Sequence, residues 1–227
     1  MKKPIRISAS LSCADLLNLQ TSLDEIHSTS IDFIHYDVVD GEFNNCFVFG
    51  DLILEKIRPV THLPIEVHLA CNQVEKYIEP FIRAGANYIA IHYELDIDKF
   101  ALFKRIKALG AKPILAFKAD TDVPHDFIDY AKEVEWILKL TVNPGYAGQK
   151  IQQNAINHIR VMRDLLDRNY LRTDIQADGN INVSTIPLVV QAGATILTGG
   201  TSGLFRKGQT INQNAKDMID ASKQEII

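Results

Sequence analysis

The segment FIHYDVVDG, residues 33–41, sets His35 and Asp37 two positions apart at the end of an apolar run. Alternate side chains of an extended strand share a face, so an imidazole and a carboxylate project together from its C-terminal end. IEVHLA puts His68, and IQADGN puts Asp178, at the ends of two further apolar runs. A lone histidine after a strand is more often a satisfied core side chain than a ligand. Two imidazoles and two carboxylates on one face of a fold would instead make one metal site. Mixed nitrogen and oxygen donors suit a divalent cation such as Zn²⁺, Fe²⁺, Mn²⁺ or Co²⁺ without choosing among them.

Two turns rich in small residues suggest an anion nearby. TVNPGYAGQK carries Gly145 and Gly148, and TGGTSGLF carries Gly199, Gly200, Thr201 and Ser202. Small residues let backbone N–H groups approach a phosphate closely, and a following helix adds a favourable dipole. Each alone reads equally well as a tight turn; together they point to a phosphorylated substrate. A cation with two carboxylates beside a phosphate pocket implies proton movement next to a carbonyl, where the negative charge on oxygen needs stabilising. Asp37 and Asp178 on opposite faces of the substrate carbon would invert it, one removing a proton and the other delivering one. Asp40 falls out of phase with this pair and precedes Gly41, which favours a turn role. His92, ending IAIHYE, points to the same mouth, where pocket lining and ordinary packing fit it equally.

These residues need a scaffold that collects strand ends. Short apolar runs near residues 5–10, 32–37, 65–69, 88–92, 112–117, 136–142, 174–177 and 195–198 alternate with amphipathic patterns around 16–28, 52–58, 74–84, 99–109, 125–131, 155–169, 184–192 and 212–223. Eight strand–helix units predict a single (β/α)₈ TIM barrel, with an open doubly wound sheet as the competing architecture. RAGAN, ALGAK and QAGAT each place a glycine between a helix and a strand, where a left-handed cap ends the helix. Phe43 to Phe49 read as an apolar loop over the mouth, with a surface or packing role equally open.

Composition narrows the function classes. No linker or charge block divides residues 1–227, which therefore read as one domain. A formal charge of −4, with scattered basic residues, gives no footprint for nucleic acid. No run approaches the roughly 20 apolar residues of a membrane span, and the chain's start lacks a signal-peptide core, so the expected place is the cytoplasm and no membrane partner is expected. Cys13, Cys46 and Cys71 are odd in number and widely spaced, as reduced structural thiols are. A homo-oligomer is expected because barrel enzymes commonly self-associate.

ISASLSCADLLNL, FIHYDVVDGEF, IEVHLA, AGANYIAIHYE, TVNPGYAGQK, IQADGN and TSGLF follow one another along nearly the whole chain. In this order they resemble the ribulose-phosphate 3-epimerase family. The resemblance implies a ribulose-phosphate-binding barrel, an isomerase of the pentose phosphate pathway and of carbohydrate metabolism. It implies a metal on His35, Asp37, His68 and Asp178, with Asp37 and Asp178 as the acid/base pair. It also implies substrate contacts from Ser10 and His68, with Gly145, Tyr146, Ala147, Gly148, Gly179, Gly200, Thr201 and Ser202 around the phosphate.

Val39, Ala70 and Thr141 stand where the family often carries methionine. GYAGQ, DGN and GTSGLF replace the more common GFGGQ, DGG and AGSAIF. The SLxCxDLL start, the Ala147 turn and the GTSGLF ending look more like the allulose-6-phosphate 3-epimerase branch. The first expectation is interconversion of D-ribulose 5-phosphate and D-xylulose 5-phosphate. The alternatives are D-allulose 6-phosphate giving D-fructose 6-phosphate, and a non-catalytic sugar-phosphate-binding barrel. A sugar-phosphate aldolase or decarboxylase stays open through Lys118 and Lys139 near strand ends.

Overall fold

The computed structural model describes residues 3–143 and 148–224. The eight predicted strands are all present: β1 (Arg6–Ser10), β2 (Phe33–Asp40), β4 (Ile65–Ala70), β5 (Tyr88–His92), β6 (Lys112–Phe117), β7 (Trp136–Leu140), β8 (Asp174–Asp178) and β9 (Ile196–Gly199). Each pairs in parallel with the next, and β1 pairs with both β9 and β2, closing the barrel and ruling out the open sheet. One strand escaped the sequence. β3 (Phe47–Val48) pairs antiparallel with the end of β2, which runs on to Asp40 beyond the predicted limit. A two-residue strand carries too little alternation to be read as one.

Eight α-helices among the described residues surround the barrel: α1 (Leu19–His27), α2 (Asp51–Ile57), α3 (Ile78–Arg83), α4 (Lys99–Ala108), α5 (Phe127–Ala131), α6 (Gln153–Arg168), α7 (Ile186–Ala192) and α8 (Ile211–Ala221). Two begin late, behind 3₁₀ turns. The stretch before α1 opens as a 3₁₀ turn at Leu16–Asn18, and another 3₁₀ turn at Val74–Lys76 precedes α3, leaving Pro80 in the first turn, where its missing N–H costs nothing. Gly85, Gly110 and Gly193 adopt φ of +109°, +90° and +115°, the left-handed conformation expected of the three GA turns.

Period two divides each strand between two cores. Ile34, Tyr36 and Val38 of β2 pack outward under the helices, and Phe33 packs along the barrel axis, so His35 and Asp37 share the inner face. The N-terminal end of the barrel is plugged by Phe33, Tyr88 and Trp136, whose rings contact one another, with the Arg6 guanidinium 5.1 Å from the Phe33 ring centre. Above this plug lies a buried polar layer of Ser8, Glu66, Gln176 and Thr198. The site therefore sits at the C-terminal mouth, where barrel loops enclose substrates.

Candidate active site and metal centre

His35, Asp37, His68 and Asp178 come together: one ligand atom from each lies within 4.8 Å of the others. Register explains the convergence. Asp37 on β2 is the direct partner of His68 on β4, while β8, carrying Asp178, is separated from β2 by β9 and β1. The two carboxylates thus enter from nearly opposite walls. His35 bridges them, its Nε2 2.9 Å from Asp37 Oδ1 and 3.5 Å from Asp178 Oδ2. His68 turns Nδ1 toward the group, 3.2 Å from Asp37 Oδ1.

The environment drives the two carboxylates apart. Burial pushes Asp178 up, and neighbouring Asp37 adds to this against the attraction of His35 and His68, to about 6. Burial also opposes charge on Asp37, but the two imidazoles outweigh it and hold that carboxyl well below the ordinary carboxylate range. His35 is buried, yet Asp37, Asp178 and Glu66 together raise it well above an ordinary imidazole. The two neighbouring carboxyls therefore differ widely in how readily they hold a proton.

The donor set fits a divalent cation: two imidazoles and two carboxylates, largely buried, with the second nitrogen of His35 already occupied. His35 Nδ1 lies 2.6 Å from Oε1 of Glu66, a carboxylate 1% exposed, leaving Nε2 toward the group. Glu66 Oε1 also accepts from Ser8 Oγ at 2.7 Å and from Gln176 Nε2. Sequence reasoning missed Glu66. A charged residue two before His68, inside an otherwise apolar run, was the available signal.

Ser10 reaches the group, its Oγ 3.2 Å from Asp37 Oδ2, and Ser12, which the sequence reading passed over, stands 3.1 Å from the same oxygen. Asp40 makes the expected turn, accepting from the backbone N–H groups of Glu42, Phe43 and Asn72. Gly179 follows Asp178 with φ of +114°, and an added Cβ would strike Val142 Cγ2 at 2.5 Å. Thr141 ties the end of β7 to this turn through Oγ1 to the Asp178 carbonyl at 3.0 Å. In the turn after β9, Gly203 and Phe205 donate back to the Gly200 carbonyl, leaving the N–H groups of Thr201 and Ser202 with no partner among the described residues. This turn packs on the Gly179 turn so closely that a Cβ at Gly203 would overlap the Ile181 carbonyl. Gly148 is exposed with φ of +85°. Gly145, Tyr146 and Ala147 lie outside the described residues.

His92 lies beneath the mouth and is fully buried, with Phe43 packed 4.6 Å from its ring and Lys118 Nζ 4.4 Å from the Phe43 ring. Phe47 of the same loop stays exposed. Lys139 alternates with the axis-facing Leu138 and Leu140 and donates to the carbonyls of Lys118 and Thr121, in the loop after β6, at 2.6 and 2.7 Å, which removes it as a Schiff-base lysine. Cys71 is buried, and burial raises its thiol to about 12, as a structural cysteine requires.

Fold and site together define a barrel isomerase of the acid/base kind. The chain belongs to the Ribulose-phosphate 3 epimerase family, whose sequence profile matches residues 6–205. It is 36% identical over 223 residues to the ribulose-phosphate 3-epimerase of Methanocaldococcus jannaschii, covering 98% of this chain and 93% of that protein. To the enzyme of the same name from Bacillus subtilis it is 33% identical, with 96% and 100% covered. Among solved structures, 3-hexulose-6-phosphate synthase from Salmonella typhimurium shares the fold at a TM-score of 0.69 and 13% identity, covering 96% of this chain and 98% of that one.

Proposed function

We propose that this chain interconverts D-ribulose 5-phosphate and D-xylulose 5-phosphate by moving the C3 proton between two carboxylates. The observation that carries the reading is the entry of Asp37 and Asp178 from nearly opposite barrel walls into one group of ligands. Asp37, held ionised, takes the C3 proton from one face, and Asp178, raised toward neutral pH, returns one to the other; the reverse reaction exchanges the roles. His35, Asp37, His68 and Asp178 would hold a divalent cation, which would supply stabilisation of the negative charge that develops when the C3 proton leaves. Ser10 and Ser12 orient Asp37 from the side away from the imidazoles. The N–H groups of Thr201 and Ser202, with the Gly179 turn, receive the phosphate. The names of the M. jannaschii and B. subtilis relatives support the pentulose phosphate as substrate.

Ribulose 5-phosphate and allulose 6-phosphate are offered to the same preparation before and after chelation. Turnover of the pentulose that chelator stops and Co²⁺ or Zn²⁺ restores is expected, with Asp178→Asn inactive. No turnover of ribulose 5-phosphate, or preference for the hexulose, would contradict the substrate. No helix among the described residues is long and apolar enough to cross a membrane. We place the enzyme in the cytoplasm as a homo-oligomer, to be checked by fractionation and by mass in solution.

A further inference from the structure

His68, unlike His35, has no carboxylate on its second nitrogen. Its Nδ1 faces Asp37 and its Nε2 lies 2.9 Å from Nε2 of His92. His92 in turn sets Nδ1 2.9 Å from Glu94 Oε2. Glu94 Oε1 accepts from the Lys118 backbone N–H at 2.7 Å and from Thr121 Oγ1, and the carbonyls of those same two residues are held by the buried Lys139 ammonium. Every position in this chain of contacts has a single consistent proton. Two facing Nε2 atoms need one donor and one acceptor. An imidazole that ligates through Nδ1 carries its proton on Nε2, so His68 donates, His92 accepts and holds its own proton on Nδ1, and Glu94 Oε2 receives that.

We propose that Glu94 and His92 form a positioning relay that keeps the His68 proton on Nε2 and leaves Nδ1 open to the cation. Glu66 does the same for His35 directly; the relay does it at one remove, because β5 lies between the carboxylate and the ligand. The proposal rests on the reading that the four residues bind a divalent cation. Glu94→Gln reverses the sense of the relay: its amide oxygen turns to the Lys118 and Thr121 donors and its N–H to His92 Nδ1. His92 Nε2 then carries a proton against His68, whose own proton moves to the ligating nitrogen.

The test is Co²⁺ titration of the metal-free full chain, with circular dichroism to verify folding, beside ¹⁵N imidazole NMR of the loaded wild type. Glu94→Gln and His92→Phe should each raise the Co²⁺ dissociation constant about 10–100-fold. His92→Gln, whose amide can accept from His68 and donate to Glu94, should recover most of the loss. In the loaded wild type the NMR should show His92 protonated on Nδ1 and bare on Nε2, a result that stands even where a variant fails to fold. A wild type that takes up no Co²⁺ overturns the metal reading and the relay with it. A wild type that binds while a folded His92→Phe matches it, or a His92 protonated on Nε2, overturns the relay alone.

Discussion

Glu66 shows how much of this site depends on atoms that touch no substrate. Its Oε1 collects Ser8, His35 and Gln176, and its Oε2 is buried without a partner. An amide oxygen in the Oε1 position could accept from the same three donors, but its NH₂ would then replace the unpartnered Oε2. Glu66→Gln should therefore cost about 1–3 kcal/mol in urea unfolding, since it buries an amide N–H donor without an acceptor. An unchanged midpoint would mean that the layer rearranges freely. Thr141 acts on the backbone instead, its hydroxyl donating to the Asp178 carbonyl. Asp37→Asn and Asp178→Asn should each lower kcat by about 10²–10⁴-fold, the range of a lost general acid or base, measured with ribulose 5-phosphate at saturating cation.

At the scale of elements, the turns after β8 and β9 behave as one unit because Gly203 lets them touch. Gly203→Ala would press a Cβ onto the Ile181 carbonyl, a backbone atom that cannot yield cheaply, and should raise KM more than it lowers kcat. A lowered kcat at unchanged KM would detach these turns from substrate binding. β7 carries a second consequence through Lys139. Burial lowers its ammonium from 10.5 to about 8, against the pull of Glu94, Asp120 and Asp122. Between those values the unfolded chain holds the proton that the folded chain has released, so stability rises with pH across the window, by about 3 kcal/mol at most. Denaturant midpoints at pH 8 and pH 10 should show that rise in the wild type relative to Lys139→Met. These elements also mark what the sequence could disclose. The eight strands and the four clustered side chains were legible because period two and terminal position are properties of single segments. The relay was not, since His92 meets His68, and Glu94 meets Lys118 and Thr121, only through the lateral register of three strands. The pairing of Val39 with Ala70 above the ligands is hidden in the same way. β3 was lost as a segment too brief for a period, and the 3₁₀ turn before α3 carries the same apolar pattern as the helix it precedes.

At the scale of the whole molecule, a closed barrel brings donors from residues 35, 37, 68 and 178 to one point, so binding a cation there must stabilise the fold it closes. At a free Co²⁺ concentration 100 times the dissociation constant, unfolding free energy should rise by about 2.7 kcal/mol, and a chelator should return it to the starting value. His35→Ala should remove the response, and a response that survives it would place the cation elsewhere. Closure also puts the two acids on facing walls, which a sheet open at one edge would not do. That opposition has a direct isotopic signature when ribulose 5-phosphate reacts in D₂O and is sampled early. The xylulose 5-phosphate formed should carry deuterium at C3 while the remaining ribulose 5-phosphate keeps protium, because the acid that delivers is not the base that removed. Early product that retains the substrate's own C3 protium would mean that a single group shuttles the proton, and would contradict the two-carboxylate account.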